Sequence, residues 1–429
     1  MIKNVNPDFS SFDRQERIEW WNQEKLFNSK VLVVGAGALG NEVIKNLSLL
    51  GIGHMLVVDF DHIEDSNLSR AVLFREEDAK DGSSKAQVAA TRAKALNPNK
   101  QAISKYLHGD VVWDLGLGVY RHSDVIIGCL DNIEARLNVN LNSWKTGKTW
   151  IDGGMWELAG SVSVYEPDLE KACYECGMTQ DHYRMAKTRY SCTNAIVKAK
   201  IKQGFEPTTQ TTSAIVGAIQ SQEAIKILHN IPSFSGRRLM FNGSSHYYLE
   251  DNNPIYLIDL SVNHKCLCHQ EKNNEDIIEF PEATNESKLA DFFDLLHEKI
   301  GVGMINIDLS CVFVVDSTCP YCDQIITLNR PKHKVRDVDI VCSTCEVICP
   351  TCGSKNVGTP DCRNCGQEDI YEPRLKTFRQ ILEQSDLFLA YKEYRLKDFG
   401  VPLLQILRIN LNQQEYFAEL TGDISKIWE

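Results

Sequence analysis

A chain of 429 residues is longer than one ordinary hydrophobic core supports, so two or three domains are expected. Its 43% hydrophobic and 24% charged residues are those of a globular protein, and 46 Lys and Arg against 58 Asp and Glu leave a net charge of −12. That sign excludes a general nucleic-acid-binding surface, which needs clustered cations, and points to protein or small-molecule partners. No apolar run reaches the roughly 20 residues of a membrane span and the first residues have no signal-type apolar core, so a cytoplasmic protein without membrane contact is expected. In a reducing compartment the 15 Cys read as metal ligands, buried small residues or a nucleophile before disulfides.

The segment Ser11 to Phe27 spaces Phe12, Ile18, Trp21 and Leu26 among charges and is expected to be helical, with its arginines on a solvated face. Val31 to Val34 then reads as a strand buried on both faces, and Gly35, Gly37 and Gly40 supply G-x-G-x-x-G at the turn into a helix. Backbone N–H groups and the helix dipole make such a turn a phosphate cradle, and glycine removes the Cβ from the approach. The motif alone fits a dinucleotide oxidoreductase and an ATP-using adenylating enzyme equally.

Val43, Ile44, Leu47 and Leu50 give the next helix, Asn41 to Leu50, one apolar face. The strand Met55 to Val58 ends in Asp59, placed to accept hydrogen bonds from ribose hydroxyls of either nucleotide, with Asp61 two residues on. The polar loop Asp65 to Arg70 closes on a cation. Lys85 precedes an alanine-rich helix, Ala86 to Leu96, in a first turn where the dipole disfavours it, so an anionic partner is expected there. The strand Val125 to Leu130 runs into Asp131, Asn132, Glu134 and Arg136. Charges of both signs at several strand ends suit a nucleoside triphosphate and its metal better than a hydride carrier.

Gly35 to Gly40, Asp59-Phe60-Asp61, Asn67-Leu68-Ser69-Arg70, Lys85 and Leu130 to Arg136 resemble the successive motifs of the ThiF/MoeB superfamily, the adenylating enzymes that include the ubiquitin-activating enzymes. Phe12-Asp13-Arg14-Gln15 is similar to that family's Tyr-x-Arg-Gln entry. The resemblance, carried from about Phe12 to Cys268, implies ATP and Mg2+ as cofactors. It implies Arg70 and Lys85 on the phosphates, Asp131 as the magnesium ligand, Asn67 orienting phosphate or metal shell, Asn132 in the same site, and Arg14 reaching across a homodimer. It also identifies Cys192, among Lys187, Arg189, Lys198, Lys200 and Lys202, with the catalytic or crossover-loop cysteine, whose thiol the cations would acidify.

Cys173 and Cys176 with Cys266 and Cys268 can close a tetrahedral Zn2+ site, as the family's paired cysteines do, with His264 or His269 able to replace one thiolate. Past Cys268 the resemblance ends. Four C-x-x-C pairs follow, Cys319/Cys322, Cys342/Cys345, Cys349/Cys352 and Cys362/Cys365, enough for two further zinc ions, with sequence order favouring one ribbon from the first two pairs and one from the last two.

The expected fold is α/β: a Rossmann-like ATP-binding adenylation domain with a mostly parallel sheet over residues 1–270, with a crossover loop near 177–207. A linker with a small helix-strand segment (271–318), a zinc-ribbon region (319–370) and a small α+β segment (371–429) follow. The expected function is adenylation of the C-terminal carboxylate of a ubiquitin-like protein, then a thioester on Cys192 for transfer to a conjugating enzyme. One alternative is adenylation of a β-grasp sulfur carrier for cofactor synthesis without a thioester. Another is a zinc-ribbon scaffold whose nucleotide domain does not turn over. An NAD-dependent oxidoreductase would share Gly35 to Gly40 and Asp59 but gives no reason for Arg70, Lys85 and Asp131.

Overall fold

The computed structural model describes residues 10–183, 208–243, 253–270, 276–367 and 370–429. These residues fall into two units: one from the chain up to 183 with 208–270 and 424–429, the other from 276–423.

In the first unit the strands are β1 (Lys30–Val34), β2 (His54–Asp59), β3 (Ile103–His108), β4 (Val125–Gly128), β5 (Trp150–Trp156), β6 (Ala159–Tyr165), β7 (Arg237–Asn242) and β8 (Ile255–Asp259). Between them run the helices α1 (Ala38–Leu49), α2 (Lys85–Leu96), α3 (Ile133–Thr146) and α4 (Gln210–Leu228). The eight strands form one sheet in the order β3-β2-β1-β4-β5-β6-β7-β8. The first five in that order are parallel and the last three continue as an antiparallel meander. Val31 to Val34 are almost wholly buried, as a strand covered on both faces requires. Leu39, Val43, Ile44 and Leu47 of α1 pack on one side with Val216 and Ile225 of α4. Buried Gln220 of α4 donates to the carbonyls of Gly128 (2.8 Å) and Ile151 (3.3 Å), satisfying backbone acceptors where the helix lies against β4 and β5.

The single helix expected over Ser11 to Phe27 is two short ones, Asp13–Glu16 and Gln23–Asn28. The break is set by Trp20 and Trp21, whose rings lie 5.3 and 5.2 Å from His229, and by Asn22, which caps the second helix by accepting from Lys25 N–H. Phe12 packs edge-on to Phe27, and Gln15 donates to the Leu50 carbonyl at the end of α1, so the entry motif is anchored on the sheet domain.

The second unit contains β9 (Ile277–Glu279), α5 (Leu289–Ile300), β10 (Ile305–Thr318), β11 (Ile325–Pro331), β12 (Glu346–Ile348), β13 (Lys355–Val357), β14 (Arg374–Leu382), β15 (Ile406–Leu411) and β16 (Gln414–Glu419). Its main sheet runs β11-β10-β15-β16-β9, with β14 along the other edge of β10. Segments 271–318, 319–370 and 371–429, separate in the sequence reading, therefore share one sheet. The start of the segment expected to be a linker carries β9, which pairs parallel with β16 and leads into the fully buried Phe280. Phe280, Phe292, Phe293, Phe313 and Phe399 form the core of this unit. β10 is long enough to pair β15 through its first half and β11 through its second, and the cysteine-rich hairpins are inserted between β11 and β14 at that second end.

After β16 the chain returns to the first unit. Helix α6 (Ile424–Trp428) packs on β2 and β3, with Trp428 fully buried and its carbonyl 2.9 Å from His54 Nδ1.

Candidate functional site

Parallel strands end together, so β1, β2 and β4 deliver Gly35, Asp59 and the Cys129–Asp131 turn to one edge of the sheet. Gly35 has φ +95°, and a Cβ there would lie 2.3 Å from the Cys129 carbonyl oxygen. A Cβ on Gly40 would lie 2.0 Å from the Gly35 carbonyl oxygen, whereas one on Gly37 would meet no heavy atom within 4 Å. Two of the glycines thus let the loop fold onto its neighbours, and the middle one opens toward the space a phosphate would fill.

Asp59 Oδ2 accepts from Ala36 N–H at 2.7 Å and its Oδ1 from Asp61 N–H at 2.8 Å, tying the end of β2 to the glycine loop. Burial raises its pKa above the usual carboxylate value, opposed by these two N–H groups and by Lys85. Ser84 caps α2, and Lys85 in its first turn finds the anionic partner expected of it: Nζ lies 2.9 Å from Asp61 Oδ2. Asn67 Oδ1 accepts from Glu64 N–H, closing the turn before Arg70, whose Nη1 donates to Thr208 Oγ1 at 3.0 Å. Asn132 caps α3 by accepting from Ala135 N–H and donates its Nδ2 to Asp131 Oδ1 at 3.1 Å, leaving the Asp131 carboxylate exposed at the strand edge. Arg14 lies on the short helix Asp13–Glu16. Cys192 lies outside the described residues. Tyr183, the last described residue before it, donates its hydroxyl to buried Glu175 at 2.6 Å.

Asp152 carries no signal in the sequence, and Arg136 enters there only as one of the charges at the strand ends. The two form an ion pair at 3.1 Å behind the Asp131 turn. Arg136 could have been found as a second cation in the first turn of a helix, where the dipole disfavours it.

Near Glu175, Cys173, Cys176, Cys266 and His269 bring their ligand atoms within 4.8 Å of one another. The Sγ–Sγ distances are 3.7, 3.8 and 4.0 Å and the Sγ–Nδ1 distances 2.9, 3.6 and 3.7 Å. A tetrahedron with metal–sulfur arms of about 2.3 Å has edges of about 3.8 Å, so the set fits zinc. Cys268, assigned to this set from the sequence, is buried beside Cys173 but outside the four, and His269 takes its place. Cys266 directly precedes the one-turn helix Leu267–Gln270 and His269 lies within it, three residues on, which puts the two on one side; the Cys268 thiol stays beside Cys173 but outside the mutually close set of four. The signal was in the sequence as C-x-x-H, the same spacing as C-x-x-C. His269 Nε2 lies 3.2 Å from the Lys171 carbonyl, which fixes the ring to present Nδ1.

In the second unit Cys319, Cys322, Cys342 and Cys345 form one four-sulfur cluster and Cys349, Cys352, Cys362 and Cys365 another, the pairing that sequence order favours. Sγ–Sγ distances of 3.8 Å in the first and 3.5 and 3.6 Å in the second again suit tetrahedral zinc with every position filled by protein. Positive φ at Asp323, Gly353 and Gly366 lets three of the four knuckles turn back on their first cysteine, with the N–H of that residue donating to the carbonyl of Cys319, Cys349 or Cys362.

A glycine cradle, a cation on the adjoining helix and an exposed carboxylate at the carboxyl edge of a mostly parallel sheet define a nucleotide-binding α/β protein. Residues 9–252 match the ThiF family, and the chain belongs to it. It is 29% identical over 243 residues to the sulfur carrier protein ThiS adenylyltransferase of Escherichia coli (strain K12), a match covering 56% of this chain and 88% of that one. It is 30% identical over 248 residues to the adenylyltransferase and sulfurtransferase MOCS3 of Drosophila persimilis, covering 57% of this chain and only 51% of that protein. Ubiquitin-like modifier-activating enzyme 5 of Dictyostelium discoideum matches at 28% identity over 277 residues, 59% of this chain and 66% of that enzyme. The chain thus spans most of the first relative and about half of the second. Among solved structures, Escherichia coli MccB bound to ATP is 20% identical with a TM-score of 0.49, covering 62% of this chain and 75% of that one. Among the described residues no helix is long and apolar enough to cross a membrane.

Proposed function

We propose that the protein adenylates the C-terminal carboxylate of a β-grasp carrier, a ubiquitin-like or sulfur-carrier protein. The observation that carries this reading is the convergence of the open Gly37 cradle, Lys85 and the Asp131 carboxylate on one sheet edge of a ThiF-family chain. A carrier carboxylate oxygen attacks the α-phosphorus of ATP, the bond to the β-phosphate oxygen breaks, and pyrophosphate leaves behind an acyl-adenylate. Backbone N–H groups of the glycine loop and the cations Lys85 and Arg70 stabilise the charge developing on the phosphates. Arg14 adds a further cation from the second subunit of a homodimer. Asp131 is the residue to hold Mg2+, a hard cation suited to carboxylate and phosphate oxygens, which when bound neutralises phosphate charge.

In the finer form of the reading, the Cys192 thiolate attacks the acyl carbon, AMP leaves, and a thioester carries the carrier toward a conjugating enzyme. The Lys and Arg residues that flank Cys192 in the sequence would favour its thiolate, and the two ribbon clusters lie outside the residues that match the ThiF family. Carrier-dependent ATP–pyrophosphate exchange tests the first step: it is expected to be lost in Asp131→Ala and kept in Cys192→Ala, and exchange that persists without Asp131 refutes the site. A carrier adduct cleaved by thiols and absent in Cys192→Ser tests the second; its absence in the unmodified protein leaves direct transfer from the adenylate.

A further inference from the structure

Arg136 sits in the first turn of α3 with its guanidinium turned back under the strand ends. Its Nη2 donates to the Leu130 carbonyl at 2.5 Å and to the Gly153 carbonyl at 3.2 Å, and its Nε donates to Asp152 Oδ1 at 3.1 Å. Both partners of the pair are nearly buried, with side-chain exposures of 16% and 11%. Burial opposes the charge on Arg136, but the carboxylates of Asp152 and Asp131 outweigh it and hold the guanidinium protonated. Arg238, bound to Ser163 and Tyr165, is a second cation acting on Asp152.

A buried ion pair of this kind is poor evidence for stability, since desolvation offsets most of the attraction. Its connections are more informative. Leu130 directly precedes Asp131, and Asn132 directly follows it as the α3 cap, so the backbone on either side of the exposed carboxylate is pinned. We infer that Arg136, held in place by Asp152, is a positioning residue that fixes the Leu130–Asp131 turn so that the Asp131 carboxylate is presented to a magnesium–nucleotide complex. The inference rests on the adenylation reading. Lysine cannot replace the fork, because it lacks the planar donors that reach three acceptors at once.

The test is ATP binding to the full chain by equilibrium dialysis across a Mg2+ titration, with thermal melting of each variant alongside. In Arg136→Lys the Mg2+ midpoint is expected to rise about tenfold, while ATP affinity at saturating Mg2+ stays within about twofold, as for loss of a residue orienting a metal ligand. Asp152→Asn, which keeps the volume and loosens the guanidinium, is expected to move the midpoint in the same direction by less. An unmoved midpoint in both variants, or affinity lowered equally at every Mg2+ concentration, overturns the inference and leaves Arg136 a folding residue. If the unmodified protein binds ATP without Mg2+ dependence, or Asp131→Asn leaves the midpoint unmoved, the adenylation site itself is wrong and the inference falls with it.

Discussion

A methyl group added at Gly37 would occupy open space, whereas one at Gly40 would strike the Gly35 carbonyl. Gly37→Ala is therefore expected to leave the melting temperature unchanged and weaken ATP binding about tenfold, or about 1.4 kcal/mol. Gly40→Ala is expected to cost about 2 kcal/mol of stability from overpacking, read by urea unfolding without nucleotide. The same residue-level contrast exists at the first cysteine cluster: His269→Ala should lower zinc by one ion per chain in elemental analysis, and Cys268→Ser should leave zinc content as it was. The glycines were legible in the sequence because their spacing is itself the geometry. The choice between Cys268 and His269 was legible only in part: the C-x-x-H spacing offered His269 as a ligand, but which of the two completes the set is decided by a one-turn helix and its packing.

Elements with strong periodicity were read within a few residues; the helix expected over Ala86 to Leu96 is Lys85–Leu96, and the strand expected over Val125 to Leu130 is Val125–Gly128. The three-residue β9 was hidden because it has too few side chains to show an alternation, and only its pairing with β16 makes it a strand. Helix α5 also carries a pH response. His297 Nε2 lies 2.8 Å from Glu383 Oε1, and that contact, aided by the Gly301 carbonyl and Asp294, raises the imidazole pKa above 6.5. A raised folded-state pKa contributes stability that is fully present below the unfolded value near 6.5 and is lost as pH rises through the folded value. The urea midpoint of the chain is expected to fall over that interval, and His297→Gln to flatten the fall.

At the scale of the molecule, the cysteines divide by unit: one set of three cysteines and a histidine in the nucleotide-binding unit, and two sets of four cysteines in the ribbons. The first unit is built from chain segments that precede and follow the second. Trp428→Ala removes a fully buried indole from the β2–β3 end of the first unit, and a loss of about 3–5 kcal/mol is expected. Hydrogen exchange localises it: amides of β2 and β3 should lose protection while those of β10 and β14 keep it. The cysteine sets were legible in the sequence but the return of Ile424 to Trp428 was not, because that short amphipathic stretch has a destination set by tertiary packing. The return of α6 also dictates an order of events on the ribosome. Domains normally fold as they emerge, but the patch that Trp428 covers stays open to water until residues 275–423 have been translated, so the nucleotide-binding unit finishes folding only after its neighbour has been made.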